Sequence, residues 1–230
     1  MKRALPFLII FVVLVIAVVA GLYMKRSASA PVATPLAPTP AANNSAPTGT
    51  DPASEPGAQP PHTQGPENAK VTLEEFGDFE CPPCGMLHPV LKTMEKEFGP
   101  RLKLTFREFP LVPTHVHALA AARSAEAAGM QGKFWEMHDM LYENQKTWHD
   151  AFDARPIFED YATKIGLNME KFRNDSARET VAQRIFMDGK RGHALGVSGT
   201  PTVYMNGREV PFESLAPDKL RELINAELAK

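Results

Sequence analysis

Cysteine is nearly absent: Cys81 and Cys84 are the only two in 230 residues. That scarcity excludes a framework of structural disulfides, which needs several pairs, and a zinc site built from four thiolates. A basic excess is also missing, since 25 Lys and Arg stand against 27 Asp and Glu, so the chain carries no electrostatic footprint for nucleic acid. There is no internal repeat. Between residues 27 and 66 Lys and Arg are lacking altogether, and large apolar side chains almost so. Such a stretch cannot bury a core of its own.

What is present falls into three parts. Lys2 and Arg3 precede an uncharged apolar run, 5–24, and Lys25 and Arg26 follow it. The run is long enough for a helix to cross a bilayer, so residues 1–26 are expected to be a membrane anchor that meets lipid through 5–24. A cleaved signal is the alternative, because Ala28-Ser29-Ala30 has the small-x-small form of a cleavage site, but Pro31 follows the cut and the run is longer than a usual signal core. The basic residues on the two sides balance, so charge alone does not orient the segment. Residues 27–66 hold about half of the chain's 21 prolines and read as a disordered tether. At about 3.1 Å per residue in polyproline form, its reach is on the order of 100 Å. Residues 67–230 suit one domain with a substantial core.

Within that domain the patterning predicts a strand over 71–76, the Cys81-Pro82-Pro83-Cys84 turn, and an amphipathic helix over 84–98 marked by Leu87, Leu91, Met94 and Phe98. A second strand follows over 101–109. Helices are expected over 115–130, 133–143, 157–165 and 176–195. A hairpin comes next, with strands 202–205 and 209–212 joined at Asn206-Gly207, and then a closing helix bearing Leu220, Leu223, Ile224 and Leu228. The fold class is α/β, in the order βαβ, a helical block at about 113–195, then ββα.

This order, with Cys81-Pro82-Pro83-Cys84 and the later Gly199-Thr200-Pro201-Thr202, resembles the thioredoxin fold with a helical insertion, and in particular the DsbA-like thiol:disulfide interchange proteins. Phe106-Arg107-Glu108-Phe109-Pro110-Leu111, the alanine-rich 118–129 and Gly132-Lys133-Phe134-Trp135-Glu136-Met137-His138 are similar to that family's insert region. The likeness covers essentially all of 67–230. Members often carry an extra strand before the first one here, and the tether offers no good candidate for it.

Cys81 is the candidate nucleophile. At the N-cap of a helix the dipole favours its thiolate, so its pKa is expected below the free value of about 8.5. Pro82 and Pro83 have no N–H, which leaves the amides of Cys84 and Gly85 to donate to the sulfur. The most oxidising members of the family have a histidine between the cysteines, absent here, and Glu80 adjoins Cys81, so only moderate depression is expected. Cys84, one turn on, is the resolving thiol. Val71, Leu73 and Glu75 share a strand face, which points Glu75 inward beneath the cysteines, where a buried carboxyl could exchange a proton with Cys84. The resemblance implies a cis Pro201 facing the cysteines, with the Thr200 backbone free to pair with an extended substrate segment. His115, His117, His88, His138 and His149 invite a metal reading, but residues two apart on a helix face different ways, and no metal or cofactor is expected.

Together these features imply an extracytoplasmic thiol:disulfide oxidoreductase in which the Cys81–Cys84 bond is exchanged with protein thiols. A lone dithiol tied to a membrane suits the oxidising side, in a bacterial cell the periplasm or the outer face. The expected partners are unfolded or partly folded thiol proteins and a membrane redox protein that resets the cysteines. Disulfide donation is the leading direction; reductase or isomerase activity uses the same residues, and a Cu(I) metallochaperone is a further alternative.

Overall fold

The computed structural model describes residues 55–230, so the expected anchor and residues 27–54 of the expected tether lie outside the described part. Among the described residues no helix is long and apolar enough to cross a membrane.

In chain order the elements are β1 (His62–Gln64), β2 (Val71–Gly77), α1 (Pro82–Phe98), β3 (Leu102–Glu108), α2 (Ala118–Gly129), α3 (Phe134–Glu143), α4 (Gln145–Trp148), α5 (Arg155–Lys164), α6 (Met169–Ser176), α7 (Glu179–Ala194), β4 (Thr202–Met205), β5 (Arg208–Val210) and α8 (Pro217–Leu228). The strands form one mixed sheet in the order β1-β3-β2-β4-β5. β2 and β3 run parallel from Val71↔Leu102 to Gly77↔Glu108, and parallel neighbours need a crossover, which α1 supplies. β4 pairs antiparallel with β2, Leu73 opposite Met205 and Phe76 opposite Thr202.

The strand alternation decides what each face buries. Val71, Leu73, Leu102, Leu104, Val203 and Met205 pack with Leu87, Leu91, Met94 and Phe98 of α1 and with Leu220 and Ile224 of α8. Phe76, one step out of phase, packs instead with Phe109, Val197 and Tyr204. On that side α7 comes close: a Cβ at Gly192 would sit 2.6 Å from the Phe109 ring, so only glycine fits there. The insertion has its own core, in which Trp148, Phe158, Met137, Leu141 and the alanines of α2 enclose Phe79 and both cysteines. The Cys81–Cys84 turn therefore lies where the insertion's core meets the end of β2.

Several expectations are corrected. The tether was expected to run to Pro66, yet residues 55–66 are packed, and His62–Gln64 pairs antiparallel with β3, His62 opposite Phe106. The domain thus begins before Glu67 and includes the extra strand. Arginines from elsewhere hold this segment: Arg107 donates to the Ala58 and Pro56 carbonyls, Arg184 to Gln59 and Pro60, and Arg191 to Glu55. The segment has no core of its own because its backbone is satisfied by borrowed side chains, which composition does not display. The helix expected over 176–195 is α7, Glu179–Ala194, and the separate α6 ahead of it, Met169–Ser176, was not expected. The short α4 was not expected, and the last strand closes at Val210.

Candidate functional site

Cys81 has extended backbone angles (φ −68°, ψ 119°) and forms the N-cap of α1, with Pro82 and Pro83 as the first helical residues. Proline suits this place because the missing N–H has no helical acceptor there anyway. The amide of Gly85 is spent on the Cys81 carbonyl at 3.1 Å, and the amide of Cys84 is the backbone donor to the sulfur. Of the two amides expected to serve Cys81, one does. The turn is held from the insertion by Gln145, whose Nε2 donates to the carbonyls of Phe79 (2.7 Å) and Cys81 (2.9 Å). Gly85 gives that amide room, since a Cβ there would meet Gln145 at 2.5 Å.

Both thiols are free and buried, Cys81 at 5% exposure and Cys84 at 0%. Their chemistry diverges. Hydrogen bonding from the Cys84 thiol, ahead of the opposing effect of burial, and further donation from Thr200 and the Cys84 amide bring the Cys81 pKa down to about 6. Burial, with the neighbouring Cys81 and Glu75, pushes Cys84 well above the usual thiol value. At neutral pH the pair is one thiolate beside one thiol, the charge on the sulfur nearer the surface.

Thr200 and Pro201 meet the cysteines from the opposite side. The Thr200–Pro201 peptide is cis, and the Cys81 thiol donates to the Thr200 carbonyl at 3.2 Å. Pro201 is buried just before β4. The Thr200 hydroxyl is buried with no hydrogen-bond partner other than Cys81, which leaves it free to donate to the thiolate.

Glu75 points inward, as the alternation of β2 requires, at 6% exposure between Phe106 and Val203 of the flanking strands. Burial, and then the charge of Cys81, raises its pKa to about 8, so it holds a proton at neutral pH. Its Oε1 has no partner. A protonated carboxyl beside a thiol with a raised pKa is the arrangement for passing a proton between them.

One expectation changes identity. Glu80 was expected to oppose the thiolate, but its carboxylate accepts from the His117 amide at 2.6 Å, ahead of α2. The opposing charge is Asp78, which accepts from the Leu111 and Glu80 amides and contacts His115 Nδ1 at 2.7 Å. Burial works against the His115 imidazolium, but Asp78 and the nearby Cys81 outweigh it and raise its pKa. No motif marked Asp78, Gln145 or the buried Tyr142, and His115 was weighed only as a metal ligand. They come together only because the insertion folds back on the turn.

For a metal, the described residues offer His88, His138 and Asp139, whose ligand atoms lie within 4.8 Å of one another. Both imidazoles contact the same Asp139 Oδ1 at 3.0 Å, and the Lys92 ammonium holds Oδ2 at 3.1 Å. The carboxylate already has a cation, so the cluster closes by hydrogen bonding. His115 and His117 face separate partners, Asp78 and the Ala151 carbonyl.

A family model described as Thioredoxin matches residues 58–226. Among solved structures, oxidised BdbD from Bacillus subtilis is 25% identical, with a TM-score of 0.64, over 76% of this chain and 97% of that one. A thioredoxin-like oxidoreductase from Silicibacter pomeroyi is also 25% identical, with a TM-score of 0.58, over 72% and 92%. The thiol-disulfide exchange protein alpha-DsbA2 from Wolbachia pipientis has the same fold at 22% identity and a TM-score of 0.59, over 72% and 86%. Among curated proteins, a Na(+)/H(+) antiporter NhaA 1 from Salinispora arenicola is 40% identical over 148 residues, 64% of this chain and 22% of that protein. The chain thus spans about a fifth of the length of the curated relatives it matches, and ion antiport is a property named for those whole proteins.

Proposed function

Because the chain belongs to the thioredoxin family and is a DsbA-like thiol:disulfide oxidoreductase, we propose that it acts as a disulfide donor to protein thiols outside the cytoplasm. The observation that carries the direction is the split between the two cysteines, Cys81 near 6 and Cys84 far above its usual range. A stabilised thiolate favours the reduced enzyme, and an enzyme that prefers to be reduced gives its disulfide away. In this reading a substrate thiolate attacks Cys81 Sγ of the oxidised enzyme. Cys84 leaves with the electron pair of the broken bond and takes a proton from Glu75. A second substrate thiol then resolves the mixed disulfide and releases Cys81 as the thiolate. Thr200 and Pro201 line the substrate's approach. The apolar run 5–24 supports a membrane tether and the periplasmic or outer face, where a membrane redox partner would reoxidise the dithiol.

Two measurements test this. In Cys84→Ala the Cys81 thiolate can still attack a substrate disulfide, but no Cys84 thiol remains to resolve the product. Mixed disulfides through Cys81 should therefore accumulate, and their absence would end the exchange reading. Equilibration with glutathione should place the Cys81–Cys84 potential nearer the donor value of about −120 mV than the reductase value of about −270 mV. A potential at the reductase end would reverse the direction while leaving the exchange intact.

A further inference from the structure

Behind Glu75 the sheet and α1 leave a cavity of about 20 Å³, walled by Gln64, Glu75, Thr105, His88, Lys92 and His138 among others. A site that holds water needs on the order of 10–15 Å³ by this measure and two or more polar partners. Two such partners face the cavity, since Gln64 Oε1 and Glu75 Oε1 are both buried with no hydrogen bond. Two acceptors without a donor are costly, and one bridging water would serve both.

The other wall leads outward. His88 and His138 contact Asp139 Oδ1 at 3.0 Å, and Asp139 Oδ2 accepts from Lys92, whose side chain is 38% exposed. Such a back route matters because of what happens at the front. Once substrate is bonded to Cys81, the face beside Thr200 and Pro201 is occupied, while Glu75 has just given up its proton and is left charged in a buried place.

We propose that Gln64 is a positioning residue for the exchange: it holds a water against Glu75, and through that water and the His88–Asp139–Lys92 cluster Glu75 regains its proton from solvent. This rests on the reading above in which Glu75 protonates Cys84. The step balances. The Cys81–Cys84 bond breaks as the substrate sulfur bonds to Cys81, so the substrate sulfur is oxidised and Cys84 is reduced. Cys84 takes the Glu75 proton, the Glu75 carboxylate takes one from the water, and solvent replaces that proton. The titratable groups around Glu75 are Cys81 at the N-cap of α1, Cys84, His88 and Lys92 on α1, and His138, Asp139 and Tyr142 on α3; Phe106 and Val203 beside it on β3 and β4 carry no charge.

The experiment follows the opening of the Cys81–Cys84 bond by reduced glutathione across pH in H2O and D2O, using the full chain. Three variants are compared: Glu75→Gln, Gln64→Leu, which removes the acceptor, and Leu91→Phe, which fills the cavity from α1 without touching a polar group. A Glu75 left charged takes its proton back from Cys84 and lets the bond reclose, so Gln64→Leu and Leu91→Phe should each slow net opening by about tenfold, within the range of general acid catalysis, and change the solvent isotope effect. Neither should slow it further in a Glu75→Gln background, and the Cys81 thiolate titration should stay put. If Glu75→Gln slows the reaction but both cavity variants run at the wild-type rate, or their effects multiply with it, the water route is wrong while Glu75 keeps its role. If Glu75→Gln itself has no effect, both ideas fall. Should Gln64→Leu not fold, Leu91→Phe decides alone.

Discussion

At the scale of single residues, Cys81 is governed by its donors. Two prolines withhold amides, Gly85 spends its own on the helix, and the Cys84 thiol, the Cys84 amide and Thr200 remain. Against them stand burial and Asp78. A thiol lowered from 9.0 to about 6 is mostly ionised at neutral pH. At pH 7 that stabilises the reduced enzyme about tenfold relative to an unperturbed thiol, equivalent to about 30 mV toward the oxidising side. Thr200→Val keeps the shape and removes the hydroxyl, so the Cys81 pKa should rise above 6 and the potential should fall with it. Thiolate absorbance against pH reads the first effect and glutathione equilibration the second. A raised pKa with an unmoved potential would mean that Cys81 ionisation does not set the potential.

At the scale of elements, the parts with strong periodicity were legible in advance. β2, α1, β3 and the Thr202–Met205 strand sit where alternation and helical spacing predict. Their side chains meet a core on one face, so pattern and environment agree. The four residues Cys81, Cys84, Thr200 and Pro201 were legible too, through two short motifs, and Glu75 through strand phase and a position before Cys81 that resembles the family's buried acid. Illegible were features whose partners are far apart in sequence. Asp78 meets His115, Gln145 reaches back to Phe79, and the segment leading into β1 is held by arginines from β3 and α7. Arg107 is the clearest case: at 5% exposure it binds Glu74 and Asp188 and two carbonyls of the N-terminal segment. Removing one partner of a buried ion pair strands the other, at a cost of about 3–5 kcal/mol. Arg107→Ala should therefore lower unfolding stability in urea by about that much, and Asp188→Asn in the same chain should return part of it. A loss under about 1 kcal/mol would mean the segment is not clamped by this network.

At the scale of the whole molecule, burial of Glu75 ties stability to the redox site. The oxidised protein isolates the effect, because neither cysteine titrates. Burial, the chief reason the Glu75 pKa is raised, remains in that form, while the contribution of the Cys81 charge is gone. Below the unfolded value of 4.5 the carboxyl is protonated whether the chain is folded or not, and the stability is fully present. Between 4.5 and the raised folded value the unfolded chain releases its proton first, so the native state binds more protons and stability falls as pH rises. The fall is at most about 1.4 kcal/mol per pH unit and is complete above the folded pKa. Glu108, buried with both oxygens unpartnered and its pKa well raised, adds a fall of the same sign. Glu75→Gln removes only its own share. Urea unfolding of the oxidised proteins should give similar stabilities near pH 4.5, with the variant pulling ahead of wild type as pH climbs to 8. Parallel curves over that range would mean that Glu75 is ionised in the folded protein, and it could not then serve Cys84 as an acid.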